Sequence, residues 1–490
     1  MMREAVPAAL RPSAIPAAAT GLPIAGLTAD SRLVQPGFLF AALPGARADG
    51  RAFIAEAVER GAAAVLAPPG TAWPPGVPPR PLIEDAEPRR LLARLAAVHA
   101  GVQPETVVAV TGTNGKTSTV EFLRQIWALG GAAAASLGTL GVIAPGQAGG
   151  EGLTTPDPVA LAATMAALAR AGIRRAAIEA SSHGLDQFRL DGLRLAAAGF
   201  SNLTRDHLDY HGTIEAYRAA KLRLFEELLP AGAAVVASAA MDPVTLTALR
   251  AVAERRRLAL ATVGEGGDML RLLHARATPD GQVLRVVFRG ARREIRLPLP
   301  GRFQADNALL AAGLAMALGE AETLDRLPHL AGVRGRMELA ARLPNGAAAY
   351  VDYAHTPDAL ERLLAALRPH AAGKLVVVFG AGGDRDPGKR PLMGSAVARH
   401  ADRAIVTDDN PRSEDPAAIR AAILAAMGGM ATPPLEIGDR AAAIAAGLEL
   451  LGPSDVLAVA GKGHEQGQTV GGTVLPFDDA ATIRRLAGAA

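Results

Sequence analysis

The sequence of 490 residues lacks cysteine entirely. This absence excludes a disulfide framework, a zinc site with cysteine ligands and a thiol nucleophile. An excess of one charge sign is also missing, because 51 Lys and Arg residues stand against 48 Asp and Glu residues, a formal net charge of +3. Neutralising nucleic-acid phosphates takes a strong basic excess, so the composition argues against a general nucleic-acid-binding protein.

Long apolar segments are missing as well. The longest uncharged stretch, between Arg124 and Glu151, contains seven glycines and Pro145, too many helix breakers for a lipid-facing helix. The amino-terminal residues include Arg3, Glu4 and several prolines, where a signal peptide needs an uninterrupted apolar core. We therefore expect a cytoplasmic protein without a membrane span.

The size and hydrophobic content predict a folded protein of several domains. Half of the residues are hydrophobic, too many for a disordered chain, and the length suggests about three domains. Linkers and changes of pattern predict domains over residues 1–100, 101–332 and 333–490. In the first, the proline-rich stretch Ala67–Pro81 predicts a loop and Pro88–His99 a helix.

In the other two segments, apolar strand-like runs alternate with helix-like runs. This alternation is typical of a parallel sheet with helices on both faces, so we predict an α/β fold. The expected strands are Val107–Val110, Ala176–Ile178, Ala196–Phe200, Ala233–Ala237, Ala347–Asp352, Leu375–Phe379, Ala404–Thr407 and Val456–Ala460. The expected helices include Val159–Ala171, Thr213–Leu229 and Pro357–Leu367.

The segment Thr111–Ser118 follows an apolar strand and opens a helix. Backbone N–H groups at such a helix start bind phosphate, Lys116 can reach the β- and γ-phosphates, and the Thr117 hydroxyl can hold Mg²⁺. The loop is shorter than the usual pattern, because Val110 stands where the first glycine is expected. A plain strand-to-helix turn needs glycine but not Lys-Thr. We therefore predict an ATP site formed by Gly112, Thr113, Asn114, Gly115, Lys116, Thr117 and Ser118.

Polar residues follow two later strands of the same predicted sheet. Glu179 comes directly after one strand, and His207 lies in the polar run after the next. Because parallel strands share one carboxyl edge, both side chains could approach the phosphate loop, where Glu179 with Thr117 suits Mg²⁺. Two other interpretations stay open. One is a zinc site of His207, Asp209 and His211, which lacks a recognised zinc motif, and the other is a loop network without a ligand.

Four polar loops adjoin strands of the last segment. Guanidinium groups form bidentate pairs with carboxylates, so Arg385 and Arg412 are predicted carboxylate clamps, while Asp409 and Glu465 could receive an ammonium. A site with both signs of charge fits an amino-acid substrate, and the alternative is surface ion pairing within the loops. A dinucleotide-binding fingerprint is rejected, because Arg385 stands where its third glycine is required.

Together these motifs resemble the Mur ligase family over nearly the whole chain. The ordered set that carries the resemblance is Asp30–Arg32, Thr111–Thr117, Thr154–Pro156, Glu179–His183, Asn202–Gly212, Gly335–Glu338, Asp352–Asp358, Gly383–Arg390, Asp409–Arg412 and Gly461–Glu465. The resemblance implies three domains: a UDP-binding domain, a central P-loop ATPase domain with a parallel or mixed sheet, and a Rossmann-like amino-acid-binding domain. It also implies a cytoplasmic, ATP-dependent amide ligase of peptidoglycan synthesis.

The resemblance assigns roles around ATP and Mg²⁺. Lys116 and Thr117 match residues that bind ATP phosphate and magnesium, and Glu179 and His207 match magnesium ligands. Lys221 would by residue type alone be a surface lysine, but it matches a lysine that is carbamylated in the family and would then hold a second Mg²⁺. The catalytic set is thus Lys116, Glu179, His207 and Lys221. Further nucleotide contacts are implied for Asn307, Arg336, Asp352 and His355.

The resemblance also assigns two substrate sites. The positions matching a UDP-MurNAc-L-Ala-D-Glu site are Ala29, Ser31, Ala46, Arg47, Ala48, Leu153, Thr154, Thr155, Ser181, Gln187 and Arg189. Those matching a meso-diaminopimelate site are Arg385, Asp409, Asn410, Pro411, Arg412, Gly461 and Glu465. The chain departs from the family at Ala46-Arg47, where His-Gln is common, and at Leu153, where Asn is common.

The implied reaction joins meso-diaminopimelate to UDP-MurNAc-L-Ala-D-Glu through an acyl phosphate, with the protein acting as a monomer. The Asp-Asn-Pro-Arg run at Asp409–Arg412 favours this substrate over L-lysine, because Arg412 would clamp the distal carboxylate that lysine lacks. Two alternatives are a related amide ligase, either an L-lysine-adding enzyme or a folylpolyglutamate synthase, and a P-loop NTPase switch. The switch would turn over ATP without an amino acid.

Overall fold

The computed structural model describes residues 21–45, 48–150, 153–278 and 281–488. The predicted contacts at Ala46 and Arg47 lie outside the described residues. The chain divides into two compact units, the first ending at Thr262 but including Gly313–Glu320, and the second made of Val263–Ala312 and the chain from Ala321 onward.

Strands and helices are numbered here in chain order over the described residues. The strands are β1 Gly26–Thr28, β2 Phe38–Ala41, β3 Ala64–Ala67, β4 Leu82–Glu84, β5 Thr106–Thr111, β6 Ala134–Gly138, β7 Gly141–Ala144, β8 Gln147–Ala148, β9 Arg175–Glu179, β10 Ala197–Phe200, β11 Ala234–Ser238, β12 Ala259–Gly264, β13 Leu270–Thr278, β14 Gly281–Phe288, β15 Ala291–Leu297, β16 Glu338–Arg342, β17 Ala348–Asp352, β18 Leu375–Phe379, β19 Arg403–Val406, β20 Leu435–Glu436, β21 Val456–Ala460, β22 Gly467–Val470 and β23 Thr473–Pro476. The α-helices are α1 Ile54–Glu59, α2 Pro88–Ala100, α3 Lys116–Leu129, α4 Pro158–Arg170, α5 Ser182–Asp186, α6 Leu208–His211, α7 Ile214–Arg223, α8 Pro243–Arg256, α9 Arg302–Ala317, α10 Thr323–Arg326, α11 Pro357–Leu367, α12 Lys389–His400, α13 Pro416–Leu424, α14 Arg440–Glu449 and α15 Asp479–Leu486.

The first unit begins with a four-stranded parallel sheet in the order β1-β2-β3-β4. Alternate residues along β2 point to opposite faces, so Leu39 packs with one apolar cluster and Phe40 with another. Helix α2 starts with Pro88 at its first turn and ends before Gly101, whose φ of +83° an L side chain rarely adopts. The predicted loop between β3 and β4 is confirmed.

A second sheet of the first unit carries the phosphate loop. Its strands run β12-β11-β10-β5-β9-β6-β7-β8, and β11 through β6 pair in parallel. Residues Val107–Val110 of β5 are all 0% exposed, because a central parallel strand is covered on both faces. A π-helical turn, Leu224–Leu228, follows α7.

The second unit contains an antiparallel meander and a further α/β sheet. Strands β13, β14 and β15 form the meander, which was not among the predicted strands. The other sheet has six strands in the order β16-β17-β21-β18-β19-β20, with only β16 antiparallel. Strands β22 and β23 form a hairpin.

The predicted α/β class is confirmed, and most expected strands lie within a residue or two of the observed ones. The domain boundaries at residues 100 and 332 stay a prediction. Over the described residues, none of the helices combines the length and the apolar character required to cross a membrane.

Candidate active site

The phosphate loop joins β5 to α3 and depends on its two glycines. Gly112 has a φ of +147° and Gly115 a φ of +83°. A Cβ atom on Gly112 would lie 1.9 Å from Ser201 Oγ, which leaves no room for a side chain. The sequence pattern therefore reflects a steric requirement of the loop.

The loop after β10 holds the phosphate loop in place. Asn202 accepts hydrogen bonds from Thr113 N through its carbonyl oxygen and from Asn114 N through Oδ1, both at 2.9 Å. Ser201 Oγ donates to Asn114 O at 2.6 Å. The loop that follows the neighbouring parallel strand thus positions the backbone that would face phosphate.

Two lysines lie at the base of the phosphate loop. Lys116 Nζ donates to the carbonyl oxygens of Gly112 and Thr113 at 2.9 Å. Lys221 on α7 is 1% exposed, donates to Gly112 O at 2.8 Å and lies 4.5 Å from the centre of the Tyr217 ring. Interpreting Lys221 as a surface lysine is therefore wrong. Burial, with a further contribution from nearby Lys116, holds the pKa of the Lys221 amine well below its ordinary value.

Glu179 ends β9 beside the phosphate loop, because β9 pairs with β5 and Glu179 is in register with Val110. Its side chain is buried, and its carboxylate accepts from Thr139 N at 2.7 Å and from Thr139 Oγ1 at 3.3 Å. A Cβ atom on Gly138 would lie 2.0 Å from Glu179 Oε1. The carboxylate is thus held on one side by Thr139, the residue directly after β6.

His207 precedes α6 with a left-handed φ of +51°, and its ring centre lies 5.0 Å from that of His183. The zinc interpretation of His207, Asp209 and His211 receives no support, since no group of three or more His, Cys, Asp or Glu residues in the described ranges is arranged to hold a metal ion. Mg²⁺ prefers oxygen ligands and keeps waters. The oxygen donors Thr117 and Glu179 fit such an ion when phosphate oxygens complete its shell.

The predicted dipeptide contacts near the second sheet of the first unit are linked by hydrogen bonds into one group, called here the dipeptide band: Thr154, Thr155, Ser181, Gln187 and Arg189. Thr155 Oγ1 lies 3.0 Å from Ser181 Oγ, and Thr154 Oγ1 lies 3.1 Å from Thr139 Oγ1. Arg189 donates to Thr155 O at 2.6 Å and to Gln187 Oε1 at 2.7 Å. This band adjoins Glu179, whose carbonyl oxygen accepts from Thr155 Oγ1 at 2.9 Å.

The remaining predicted dipeptide contacts differ in exposure. Ser31 is buried and donates to Glu56 Oε2 at 2.8 Å, whereas Ala29 and Ala48 are exposed near the same sheet. Leu153 is 61% exposed.

In the second unit, predicted nucleotide contacts cluster near the end of β17. Asp352 accepts hydrogen bonds from Met337 N and Ala354 N, both at 2.8 Å, and burial raises the pKa of its carboxyl group. The Arg336 guanidinium lies 5.0 Å from the centre of the Tyr353 ring.

Two further predicted nucleotide contacts join the same cluster. His355 Nδ1 lies 2.8 Å from Tyr353 O, which assigns the proton to Nδ1. Buried Asn307 is connected through Gln304, which accepts from Asn307 Nδ2 at 3.2 Å and donates to Arg336 O at 3.0 Å.

The predicted amino-acid contacts gather at the carboxyl ends of the adjacent strands β21, β18 and β19. Arg412, with a φ of +52°, donates to Gly383 O at 2.7 Å, and its N–H donates to Thr469 O on β22 at 3.1 Å. Asn410 Nδ2 donates to Glu465 Oε2 at 3.0 Å. Arg385 is exposed on the loop after β18.

Glycines let these loops approach each other closely. A Cβ atom on Gly383 would lie 1.9 Å from Pro411 O, and one on Gly461 would lie 3.0 Å from Asp409 Oδ2. The structure therefore brings six of the seven predicted amino-acid contacts into one set of touching loops, with Arg385 at its exposed edge.

Sequence reasoning did not single out Lys462, which is 0% exposed beneath these loops. Its ammonium donates to Asn410 Oδ1 and Gly467 O, both at 2.8 Å. The Gly-Lys-Gly run was the sequence signal that could have identified this lysine. Both flanking glycines have positive φ values, +122° and +55°, which few other residues adopt.

Known proteins share these features. The descriptions "Mur ligase family, catalytic domain", "Mur ligase middle domain" and "Mur ligase, glutamate ligase domain" match residues 23–100, 110–315 and 335–463. The chain is 56% identical over 479 residues to the UDP-N-acetylmuramoyl-L-alanyl-D-glutamate–2,6-diaminopimelate ligase of Caulobacter vibrioides, covering 96% of this chain and 97% of that relative. Identity to the enzyme of the same name from Rhizobium meliloti is 52% over 472 residues, covering 96% and 95%. A solved structure of a ligase of this name shares 32% identity with a TM-score of 0.72 and covers 95% of both chains.

Proposed function

The chain belongs to the Mur ligase family, and from this premise we propose that it joins 2,6-diaminopimelate, as the meso isomer, to UDP-MurNAc-L-Ala-D-Glu with cleavage of ATP to ADP and phosphate. The product is an amide on the D-glutamyl γ-carboxyl group, a step of peptidoglycan synthesis. We place the reaction in the cytoplasm and assign it to the monomer.

One observation carries the choice of amino acid. The Arg412 guanidinium faces the loop after β18, and two carboxylates, those of Asp409 and Glu465, belong to the adjoining loops. Cationic and anionic groups on one edge of a sheet fit the distal end of meso-diaminopimelate, which carries both a carboxylate and an ammonium. L-Lysine lacks that carboxylate, so it would leave Arg412 without its ligand.

The first chemical step is transfer of the ATP γ-phosphoryl group to the D-glutamyl γ-carboxylate, which converts a poor electrophile into an acyl phosphate. The backbone N–H groups at the start of α3 bind the phosphates, and Lys116 leaves its carbonyl contacts to meet the moving phosphoryl charge. Thr117, Glu179, His207 and carbamylated Lys221 are the residues that would hold magnesium. Bound Mg²⁺ supplies neutralisation of phosphate charge.

The second step is attack of the diaminopimelate amine on the acyl phosphate, followed by loss of phosphate from a tetrahedral intermediate. The dipeptide band next to Glu179 would orient the dipeptide carboxylate for both steps. Within the second unit, the family resemblance assigns nucleotide contacts to Asn307, Arg336, Asp352 and His355.

A single assay tests the proposal. Purified protein is incubated with ATP, Mg²⁺ and UDP-MurNAc-L-Ala-D-Glu, and phosphate and nucleotide-linked product are measured with each amino acid. We expect phosphate and a tripeptide product only with meso-diaminopimelate. Equal turnover of L-lysine would overturn the specificity, and phosphate release without an amino acid would indicate an NTPase switch. In a parallel reaction with a folate in place of the UDP-dipeptide, turnover of glutamate would indicate a folylpolyglutamate synthase.

A further inference from the structure

The loop after β21 contains a buried cation that the reaction above does not use. The Lys462 ammonium donates to Asn410 Oδ1 and Gly467 O at 2.8 Å, and Asp409 Oδ1 lies 3.4 Å away. The first two oxygens accept hydrogen bonds, whereas Asp409 Oδ1 is an ion-pair partner without a hydrogen bond of its own among the described residues. A neutral amine would turn its lone pair toward that carboxylate. The contacts therefore fit a charged lysine.

Two glycines direct this lysine inward. A Cβ atom on Gly463 would lie 2.7 Å from Tyr353 Cβ, and one on Gly461 would lie 3.0 Å from Asp409 Oδ2. Because both glycines also have positive φ values, the Gly-Lys-Gly turn can pass close to its neighbours and place the lysine side chain beneath the site. The flanking glycines thus allow a turn that places Lys462 in contact with Asn410, a residue distant in sequence.

The two carboxylates near Lys462 differ in exposure and in distance from its ammonium. Asp409 is 6% exposed and lies beside the lysine, whereas the Glu465 side chain is 35% exposed and its Oε2 lies 3.9 Å from Lys462 Nζ. Burial lowers the pKa of Lys462, and Asp409 and Glu465 oppose that effect. The nearby charges of Arg440 and Asp479 act on the same pKa in opposite directions. With the lysine charged, Lys462, Asp409 and Glu465 sum to one negative charge.

We propose that Lys462 is a positioning residue of the amino-acid site, which holds Asp409 inward, fixes Asn410 so that its Nδ2 reaches Glu465, and leaves one net negative charge for one substrate ammonium. This inference rests on the proposed function. Lys462 acts through Asp409 and Asn410. The more exposed Glu465 receives the ammonium of the distal end of meso-diaminopimelate, while Arg412 receives the carboxylate.

The test compares Lys462→Met with Lys374→Met, the same change at an exposed lysine of the same unit. For Lys462→Met, we expect the KM for meso-diaminopimelate to rise about tenfold or more, with the KM values for ATP and the UDP-dipeptide within about twofold of wild type. Loss of the lysine charge leaves the site more negative, which favours an amino acid with one carboxylate fewer, such as L-lysine. The ratio of kcat/KM for meso-diaminopimelate to that for L-lysine should therefore fall, and it should not change in Lys374→Met.

A double variant separates charge from folding. Lys462→Met with Asp409→Asn returns the site to one negative charge, so it should recover part of the discrimination ratio that the single variant loses. The inference is overturned if Lys462→Met leaves both the KM for meso-diaminopimelate and the discrimination ratio unchanged. A lower kcat alone, without a change in either quantity, would indicate a purely structural lysine and would also overturn it.

Should Lys462→Met fail to fold, Lys462→Arg carries the test, since it keeps the charge and alters the donor geometry. We then expect a raised KM for meso-diaminopimelate with a preserved ratio, and a lost ratio would overturn the inference. Failure of the wild-type protein to use meso-diaminopimelate would instead contradict the proposed function.

Discussion

The side-chain amines of Lys116 and Lys221 donate hydrogen bonds to the same acceptor, the carbonyl oxygen of Gly112, at 2.9 and 2.8 Å. Two cations that share one buried oxygen repel each other, and the repulsion adds to burial in lowering the pKa of Lys221. The arrangement favours the neutral amine at Lys221, and only a neutral amine adds CO₂ to form a carbamate.

The first prediction follows from this pKa. Lys221 should become carbamylated in the folded protein at a pH well below that at which an exposed lysine such as Lys374 reacts. Because its pKa is lowered, its amine is already largely neutral at a pH where an exposed lysine is still protonated. In ¹³C-bicarbonate, NMR should show a carbamate signal that is absent from Lys221→Met. Removal of CO₂ should lower activity reversibly.

Unfolding supplies the control for this measurement. In denaturant the pKa of Lys221 returns to its ordinary value, so the carbamate signal at neutral pH should disappear. A signal of equal size in Lys221→Met, or activity indifferent to CO₂ removal, would contradict the prediction.

A second prediction concerns the contact between Gly138 and Glu179. Gly138→Ala would place a Cβ atom 2.0 Å from Glu179 Oε1, and because Gly138 has no positive φ, the effect is steric rather than conformational. The carboxylate must move, and a displacement of about 1 Å at such a site can lower kcat about a hundredfold. The Mg²⁺ concentration required for half-maximal activity should rise in parallel.

Gly150→Ala is the matched control, since a Cβ atom there meets nothing within 4 Å and no positive φ is involved. It should leave kcat and the Mg²⁺ requirement unchanged. Equal effects of the two substitutions would show that Gly138 has no specific relation to the carboxylate.

The fold was most predictable where burial is complete. Strand β18, Leu375–Phe379, matches its predicted bounds because a parallel strand covered on both faces reads as a continuous apolar run. The meander was missed because its pattern is irregular: β13 shifts register between Leu272 and His274, which breaks the alternation expected of a half-exposed strand.

The site was predictable where a local backbone requirement leaves a mark in the sequence. Gly112 and Gly115 are such marks, since their φ values exclude most other residues. Lys221 has no such mark beside it. Lys462 is flanked by two glycines, but the burial of both lysines depends on elements distant in sequence, the phosphate loop for Lys221 and Asn410 for Lys462. Residue type alone therefore favours a surface lysine, while the tertiary contacts decide otherwise.

A third prediction concerns the carboxylate clamp. Arg412→Lys keeps the positive charge and pays the same backbone cost at a φ of +52°, so it isolates the loss of guanidinium geometry. The KM for meso-diaminopimelate should rise roughly 10- to 100-fold, while the KM for ATP stays unchanged. Arg362→Lys, on the exposed surface of α11, should alter neither value. An Arg412→Lys enzyme with an unchanged KM for meso-diaminopimelate would refute the clamp.

A fourth prediction concerns the buried ion pair beneath the amino-acid loops. The Arg440 and Asp479 side chains are both 0% exposed and form two hydrogen bonds of 2.7 Å. Arg440 also donates to Ala460 O at 3.0 Å and to Asp408 O at 3.3 Å, the residues before Gly461 and Asp409. The pair therefore supports two loops of the site from below.

Arg440→Met should lower the local free energy of unfolding by about 3–5 kcal/mol, because it leaves Asp479 charged, buried and unpaired. Hydrogen exchange of the α14 and α15 amides measures this local loss without requiring the whole chain to unfold in one step. Adding Asp479→Leu removes the stranded charge and should return most of the protection, since a buried pair replaced by apolar side chains is often nearly neutral. The double variant should nevertheless keep a raised KM for meso-diaminopimelate, because the two carbonyl contacts of Arg440 are still absent.

Arg362→Met, which breaks the exposed Arg362–Asp358 pair, should change local stability by less than about 1 kcal/mol. If the double variant recovers both protection and KM, the support of the loops by Arg440 is disproved, and the ion pair serves stability alone.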